Sequence, residues 1–203
     1  MKRLIILAVF SVLLFGTSPV YAEEFREFSA VIIEKDGEST ETNKIYAAIG
    51  KSRYDSKNGS EIVVTRYDKK LMWIIFPKYR RYVEEPCTEV QPQNPAPPQE
   101  GTFGDLTRKL VGTEFIDSYR TKKYLVTIKP RNEEKNQYQY YEWYRSDFPF
   151  PVKVAAAQGN SSTEYTKIKF GHLDPDLFSA PKSYKKVTLE EITEMEKSGT
   201  KSN

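Results

Sequence analysis

The sequence predicts a mainly β protein, about eleven strands in up-and-down antiparallel order with helical material only at two or three connections. Three observations lead there. First, Leu71–Phe76 (LMWIIF) is an unbroken apolar run. Period-2 geometry puts Leu71, Trp73 and Ile75 on one face and Met72, Ile74 and Phe76 on the other, so this strand is expected to be covered on both sides. Second, turn material flanks it, Asp68-Lys69-Lys70 before and Pro77-Lys78 after, and the runs beyond, Ile62–Tyr67 and Tyr79–Glu84, alternate. That is the pattern of a three-strand meander. Third, fourteen Tyr, eleven Phe and twelve Pro favour pleated structure and turns over helix.

Met1–Ala22 reads as a secretory signal peptide. Lys2 and Arg3 precede an apolar stretch, Leu4–Phe15, that is too short for a permanent anchor, and small residues lead to a cleavage site after Ala22. The formal charge of +3 falls to +1 once Lys2 and Arg3 are removed, with the charges mixed along the chain. A nucleic-acid binder needs a basic face, and none is present. No later stretch is long and apolar enough to make an integral membrane protein. Cys87, the only cysteine, cannot form an intramolecular disulfide, so the exported domain has to rest on its core.

Residues 23–187 read as one domain and 188–203 as a C-terminal helix and polar tail. Strands are expected at Phe25–Glu34, Lys44–Ile49 and Ser52–Ser56, then, after an Asn58-Gly59 type I′ turn, through the meander. Pro86–Pro98 interrupts with a Pro-rich loop. Phe103, Leu106, Leu110 and Val111 stand at helical spacing, with Asp105 in the first turn and Gly112 as a C-cap, and predict a short amphipathic helix. Strands resume at Thr113–Ser118, with a turn at Tyr119–Thr121, then Lys123–Lys129, a polar tip at Arg131–Asn136, Gln137–Arg145, Val152–Ala157 and Thr163–Phe170. Asp174–Phe178 reads as one helical turn and Thr188–Lys197 as a helix.

The order of several short motifs resembles the bacterial periplasmic lipoprotein-carrier superfamily (LolA/LolB-like), in a branch of unknown function. These are Lys44–Ile49, Arg53 after a Gly-Lys turn, Arg66-Tyr67-Asp68-Lys69-Lys70 running into Trp73, and Tyr82-Val83-Glu84. Downstream come Leu110–Glu114, Lys123-Tyr124, the Trp143 strand and Leu177-Phe178. The resemblance implies an incomplete β-barrel of strongly curved antiparallel sheet, with short helices as a lid over an apolar concave face. It also implies an activity, keeping acyl chains of lipoproteins or other lipids from water, as in the sorting of outer membrane lipoproteins. The locations and partners that go with it are the periplasm, a lipid or lipoprotein acyl chain, and an envelope protein.

Trp73, Ile75 and Tyr82 are the first candidates for the ligand wall, and Tyr124, Val126, Ile128, Tyr141 and Trp143 their counterparts in the second half. Packed core is the other reading of both sets. Arg53 and Arg66 are candidates for a ligand head group by bidentate contact; the alternative is pairing with Asp55 and Asp68. No cofactor is expected. The chain has one histidine, no G-x-S-x-G stretch, and carboxylates without calcium-loop spacing, so no enzyme is expected. A carboxylate pair formed by tertiary proximity, for example Glu114 with Glu142, is the catalytic alternative.

Overall fold

A computed structural model describes residues 26–87, 104–130, 137–148 and 150–199. The signal peptide, most of the Pro-rich loop and the 131–136 tip lie outside the described residues. Twelve strands form one sheet: β1 (Phe28–Asp36), β2 (Ser39–Ala48), β3 (Lys51–Asp55), β4 (Ile62–Arg66), β5 (Leu71–Phe76), β6 (Arg81–Pro86), β7 (Gly104–Ile116), β8 (Tyr119–Pro130), β9 (Tyr138–Tyr144), β10 (Pro151–Ala156), β11 (Ser162–Phe170) and β12 (Lys185–Lys186). Their spatial order is β12-β6-β5-β4-β3-β2-β1-β11-β10-β9-β8-β7. Two antiparallel meanders, β1–β6 and β7–β11, therefore meet where β1 pairs with β11. The sheet curves without closing into a barrel. Its bend brings the β7–β8 turn back to β11, where the Lys167 backbone N–H donates to Asp117 Oδ2 at 3.2 Å.

The buried strand β5 lies where its apolar run places it, with Trp73, Ile74, Ile75 and Phe76 all buried. The turns on either side of it are one device used twice. Tyr67–Lys69 and Pro77–Tyr79 each make a 3-10 turn closed by a left-handed residue, Lys70 at φ 55° and Arg80 at φ 51°. Between β2 and β3 the chain reverses at Ile49-Gly50. Gly50 has φ 71°, and a Cβ there would stand 3.1 Å from the Cβ of Asp68. That close approach and that dihedral both require glycine.

Three expectations are corrected. Of the expected Phe103–Val111 helix, Phe103 lies outside the described residues and the rest is strand β7: Leu106, Arg108 and Leu110 stand opposite Ile128, Val126 and Tyr124 of β8, and a one-residue register shift follows at Leu110/Gly112. The spacing of Leu106, Leu110 and Val111 suits either period, and cross-strand pairing decides it. The turn after β7 is Asp117-Ser118, both left-handed (φ 46° and 66°), rather than Tyr119–Thr121. At Asn58-Gly59 only Gly59 is left-handed, so no type I′ pair forms. Instead Asn58 Oδ1 accepts from the Ser60 N–H at 3.0 Å inside a longer loop. The helical elements expected at 174–178 and 188–197 are found as the 3-10 turn Pro175–Phe178 and the helix α1 (Leu189–Gly199).

The α1 helix begins with a capping box. The Thr188 N–H donates to Glu191 Oε2 (2.8 Å) while Thr188 Oγ1 accepts from the Glu191 N–H (3.3 Å). Its Ile192 joins Ile74, Phe76, Val83 and Val187 in one core cluster.

Candidate functional site

Cross-strand register assigns every side chain of the sheet to one of two faces, because residues directly opposite one another share a face. The face bearing Ile74, Phe76 and Val83 carries α1; we call it the helix face. The other, with Val64 opposite Trp73 and Ile75 opposite Tyr82, carries the segment Leu173–Tyr184; we call it the strap face.

On the strap face, Trp73 and Ile75 join Ala48, Val64 and Phe178 in a core cluster, with Tyr82, Leu177 and Tyr184 packed against it. Phe178 is 1% exposed. The two arginines fasten this strap. Arg53 donates from Nε to Asp55 Oδ1 (2.6 Å) and from Nη1 to the Leu177 carbonyl (3.1 Å). Arg66 donates to both Asp68 oxygens (2.7 and 2.6 Å) and from Nη1 to the Phe178 carbonyl (3.1 Å). Two successive strap carbonyls are thus held by two arginines that their own i+2 aspartates orient. The guanidinium of Arg66 holds the Asp68 carboxyl below the usual range.

The same Arg-x-Asp unit occurs a third time. Arg145 donates to both oxygens of Asp147 (2.8 and 2.7 Å), and its guanidinium lies 3.4 Å from the centre of the Tyr119 ring. The triplets Arg53-Tyr54-Asp55, Arg66-Tyr67-Asp68 and Arg145-Ser146-Asp147 are visible in the sequence as a repeat, and that signal was available to find them.

The second-half candidates do not form one group. Tyr124, Val126 and Ile128 stand opposite Glu142, Tyr140 and Tyr138 on the helix face, whereas Tyr141 and Trp143 stand opposite Leu125 and Lys123 on the strap face. Trp143 Nε1 donates to Glu114 Oε2 (2.8 Å), and Glu114 Oε1 meets Lys123 Nζ (2.7 Å). Trp73 repeats the arrangement with Glu84 (2.9 Å) and Lys186 (2.7 Å). Each lysine, then each indole N–H, lowers the pKa of its glutamate.

The helix face of the second half holds polar groups the sequence did not single out. Glu142, 4% exposed, accepts from Arg108 Nε (2.9 Å) and Tyr144 Oη (3.0 Å). Arg108 Nη2 lies 2.8 Å from the same oxygen without the alignment of a hydrogen bond. Three strands away in the same cross-sheet row, through Val154 and Thr163, lies Glu34. Glu34 Oε2 accepts from Asn43 Nδ2 (2.7 Å) and Tyr54 Oη (3.0 Å). Burial, then these carboxylates, push Tyr140 (by Glu142) and Tyr165 (by Glu34) up to about 12, and raise Tyr54 and Tyr144 as well. Glu114 and Glu142 lie on opposite faces and make no carboxylate pair. Among the described residues no His, Cys, Asp and Glu gather to hold a metal ion.

No family model matches this chain, and no curated protein matches it. Solved structures do. An uncharacterized conserved protein from Thermus thermophilus superposes with a TM-score of 0.52 at 16% identity, over 80% of this chain and 90% of that one. MucB superposes with a TM-score of 0.53 at 16% identity, over 78% of this chain but 58% of MucB. The MucA/MucB complex of Pseudomonas aeruginosa gives 0.53 at 15%, over 81% and 59%. This chain thus corresponds to little more than half of MucB. Identities this low establish the fold alone, an open curved antiparallel sheet.

Proposed function

We propose that this is a non-catalytic protein of the bacterial envelope, periplasmic once its signal peptide is removed, that shelters an apolar ligand on the helix face. The ligand class is a lipid or the acyl chain of a lipoprotein. One observation carries this reading: the helix face is far wider than the helix laid on it. Twelve strands span about 50 Å at the usual spacing. The eleven residues of α1 cover about 16 Å.

Tyr124, Val126 and Ile128 of β8 supply one wall, with Tyr138 and Tyr140 of β9 beside them. Tyrosines suit such a lining because the ring is apolar and the hydroxyl meets water or a head group. Each buried CH₂ of a chain contributes about 0.8 kcal/mol, so a long tail offsets the cost of shifting a covering segment. In this reading Trp73, Ile75 and Tyr82 seat the strap, Arg53 and Arg66 fasten it, and Tyr141 and Trp143 back the sheet from the other side.

The test is lipid extraction and native mass spectrometry of protein purified from its own host, followed by uptake of a fluorescent fatty acid. A co-purifying lipid, and uptake that Ile128→Arg, at a half-buried position of the same face, abolishes while the fold survives by circular dichroism, support the proposal. Protein that is always empty and takes up no probe overturns it. A second reading, docking of another envelope protein, draws on MucB, which is solved in complex with MucA.

A further inference from the structure

The two edges of the sheet are finished differently. At β6, the two-residue strand β12 pairs in parallel, and the Val187 N–H donates to the Tyr82 carbonyl at 2.9 Å. At the far edge, β7 has β8 on one side and, among the described residues, no strand on the other. Lys109–Glu114 are exposed throughout, as is Phe115. Leu110 is 53% and Phe115 74% exposed. A bare edge this long, thirteen residues, with apolar side chains on it, is a template for another strand.

The charges on β7 say which strand fits. Lys109 stands opposite Leu125 and therefore points to the strap face. The register shift at Leu110/Gly112 changes the alternation by one, so Glu114, opposite Thr121, points to the strap face too. Without that shift the two would point to opposite faces. A two-fold axis through the sheet between Val111 and Gly112 then sets Lys109 against Glu114 of a second copy, twice over. It also sets Leu110 against Thr113 and Arg108 against Phe115, each pair on one face. Sliding the register by two residues either way loses both ion pairs.

We infer that β7 is a self-pairing edge, and that two copies of this chain join antiparallel along it into one continuous sheet, with each Phe115 laid beside Arg108 of the other copy and partly withdrawn from water. This rests on the strand and its charges and is independent of any lipid on the helix face.

The experiment is sedimentation velocity on the full, processed chain over a range of concentrations. Wild type is expected to reach twice the mass of one chain. Lys109→Glu sets two carboxylates against each other at both symmetric positions and should weaken association roughly tenfold or more. Glu114→Lys sets two lysines against each other and should do the same. An equimolar mixture of the two variants restores an attractive pair at both positions and should associate as wild type does. Glu114 also holds Trp143, so Phe115→Ser, which leaves that contact intact, is the second probe and should weaken association as well. A wild type that stays monomeric overturns the inference, and so does a dimer indifferent to both Lys109→Glu and Phe115→Ser. A monomer that instead binds phosphatidylglycerol vesicles through Phe115 also overturns it and assigns the patch to a lipid surface.

Discussion

The two tryptophans of the sheet solve one chemical problem in two ways. Both lie on the strap face, both are buried, and both donate the indole N–H to a glutamate that a lysine neutralises. For Trp73 the lysine is Lys186, about a hundred residues further along the chain, and the burial is supplied by the strap through Leu177 and Phe178. For Trp143 the lysine is Lys123, its direct cross-strand neighbour. Its ammonium lies 4.9 Å from the indole and 4.5 Å from the Tyr141 ring. The Glu–Lys pair of Trp73 is thus completed by a returning segment, whereas that of Trp143 is completed within its own meander, although the ring itself shares a core cluster with Phe28 and Ala47 of the first half. The β6 edge is correspondingly closed by β12, whereas among the described residues no strand covers the β7 edge.

Truncating the strap tests whether the halves are independent, and its effect should exceed all the others. Phe178→Ala should cost about 3–5 kcal/mol in urea unfolding, since a wholly buried ring is lost from the strap. In single-tryptophan backgrounds it should shift the emission of Trp73 to the red and leave that of Trp143 unmoved. An equal shift at Trp143 would mean that the halves respond as one.

Next comes the clamp. Arg66→Ala removes a bidentate pair and the bond to the Phe178 carbonyl, for about 1–2 kcal/mol, a modest loss because Asp68 remains 38% exposed and hydrated. Hydrogen exchange at the amide of Ser179 should accelerate, since its bond to the Asp176 carbonyl depends on a seated strap. Arg66→Lys should rescue little, because a point charge cannot reproduce the fork.

The pH dependence probes the likeness between the halves. Glu84 and Glu114 both have folded pKa values below their unfolded ones. Their stabilisation is therefore complete above about pH 4.3 and is lost as pH falls through the folded values. Glu84→Gln and Glu114→Gln should each flatten that acid limb, and by similar amounts, when stability is measured by urea unfolding between pH 2 and 5. At the alkaline end the sign reverses. Tyr140 and Tyr165, raised to about 12, contribute stability that is full below about pH 10 and is lost as pH rises through 12. Absorbance titration of Tyr140→Phe should show one fewer late-ionising phenol.

The smallest effect belongs to the turns. Lys70→Gly in the first half and Ser118→Gly in the second place glycine where φ is 55° and 66°. Each should stabilise by about 0.5 kcal/mol, relief of left-handed strain outweighing the added freedom of the unfolded chain. Thermal melts would check both.

Much of the fold was legible because it is local. The double apolar run of β5, the capping box of α1 and the single turn before Phe178 are each written within a few consecutive residues. The Asp55 and Asp68 partners of the two arginines were legible for the same reason, two positions away on the same strand or its turn. The misreadings share a cause of the opposite kind. Strand β7 carries an apolar spacing compatible with helix, and only pairing with β8 selects the extended form. Tyr124 and Trp143 looked like one wall because both strands are aromatic, but whether even or odd positions face each other depends on register.

An antiparallel sheet containing a strand covered on both faces follows from the amino-acid order alone, since alternation, turns and caps are short-range properties of consecutive residues. Three outcomes needed the folded chain: which face takes the strap and which the helix, that Trp73 lies under Phe178, and that β7 has, among the described residues, a strand on one side only. They depend on which distant segments meet and in what register, and one residue of slip would send every side chain of a strand to the other side.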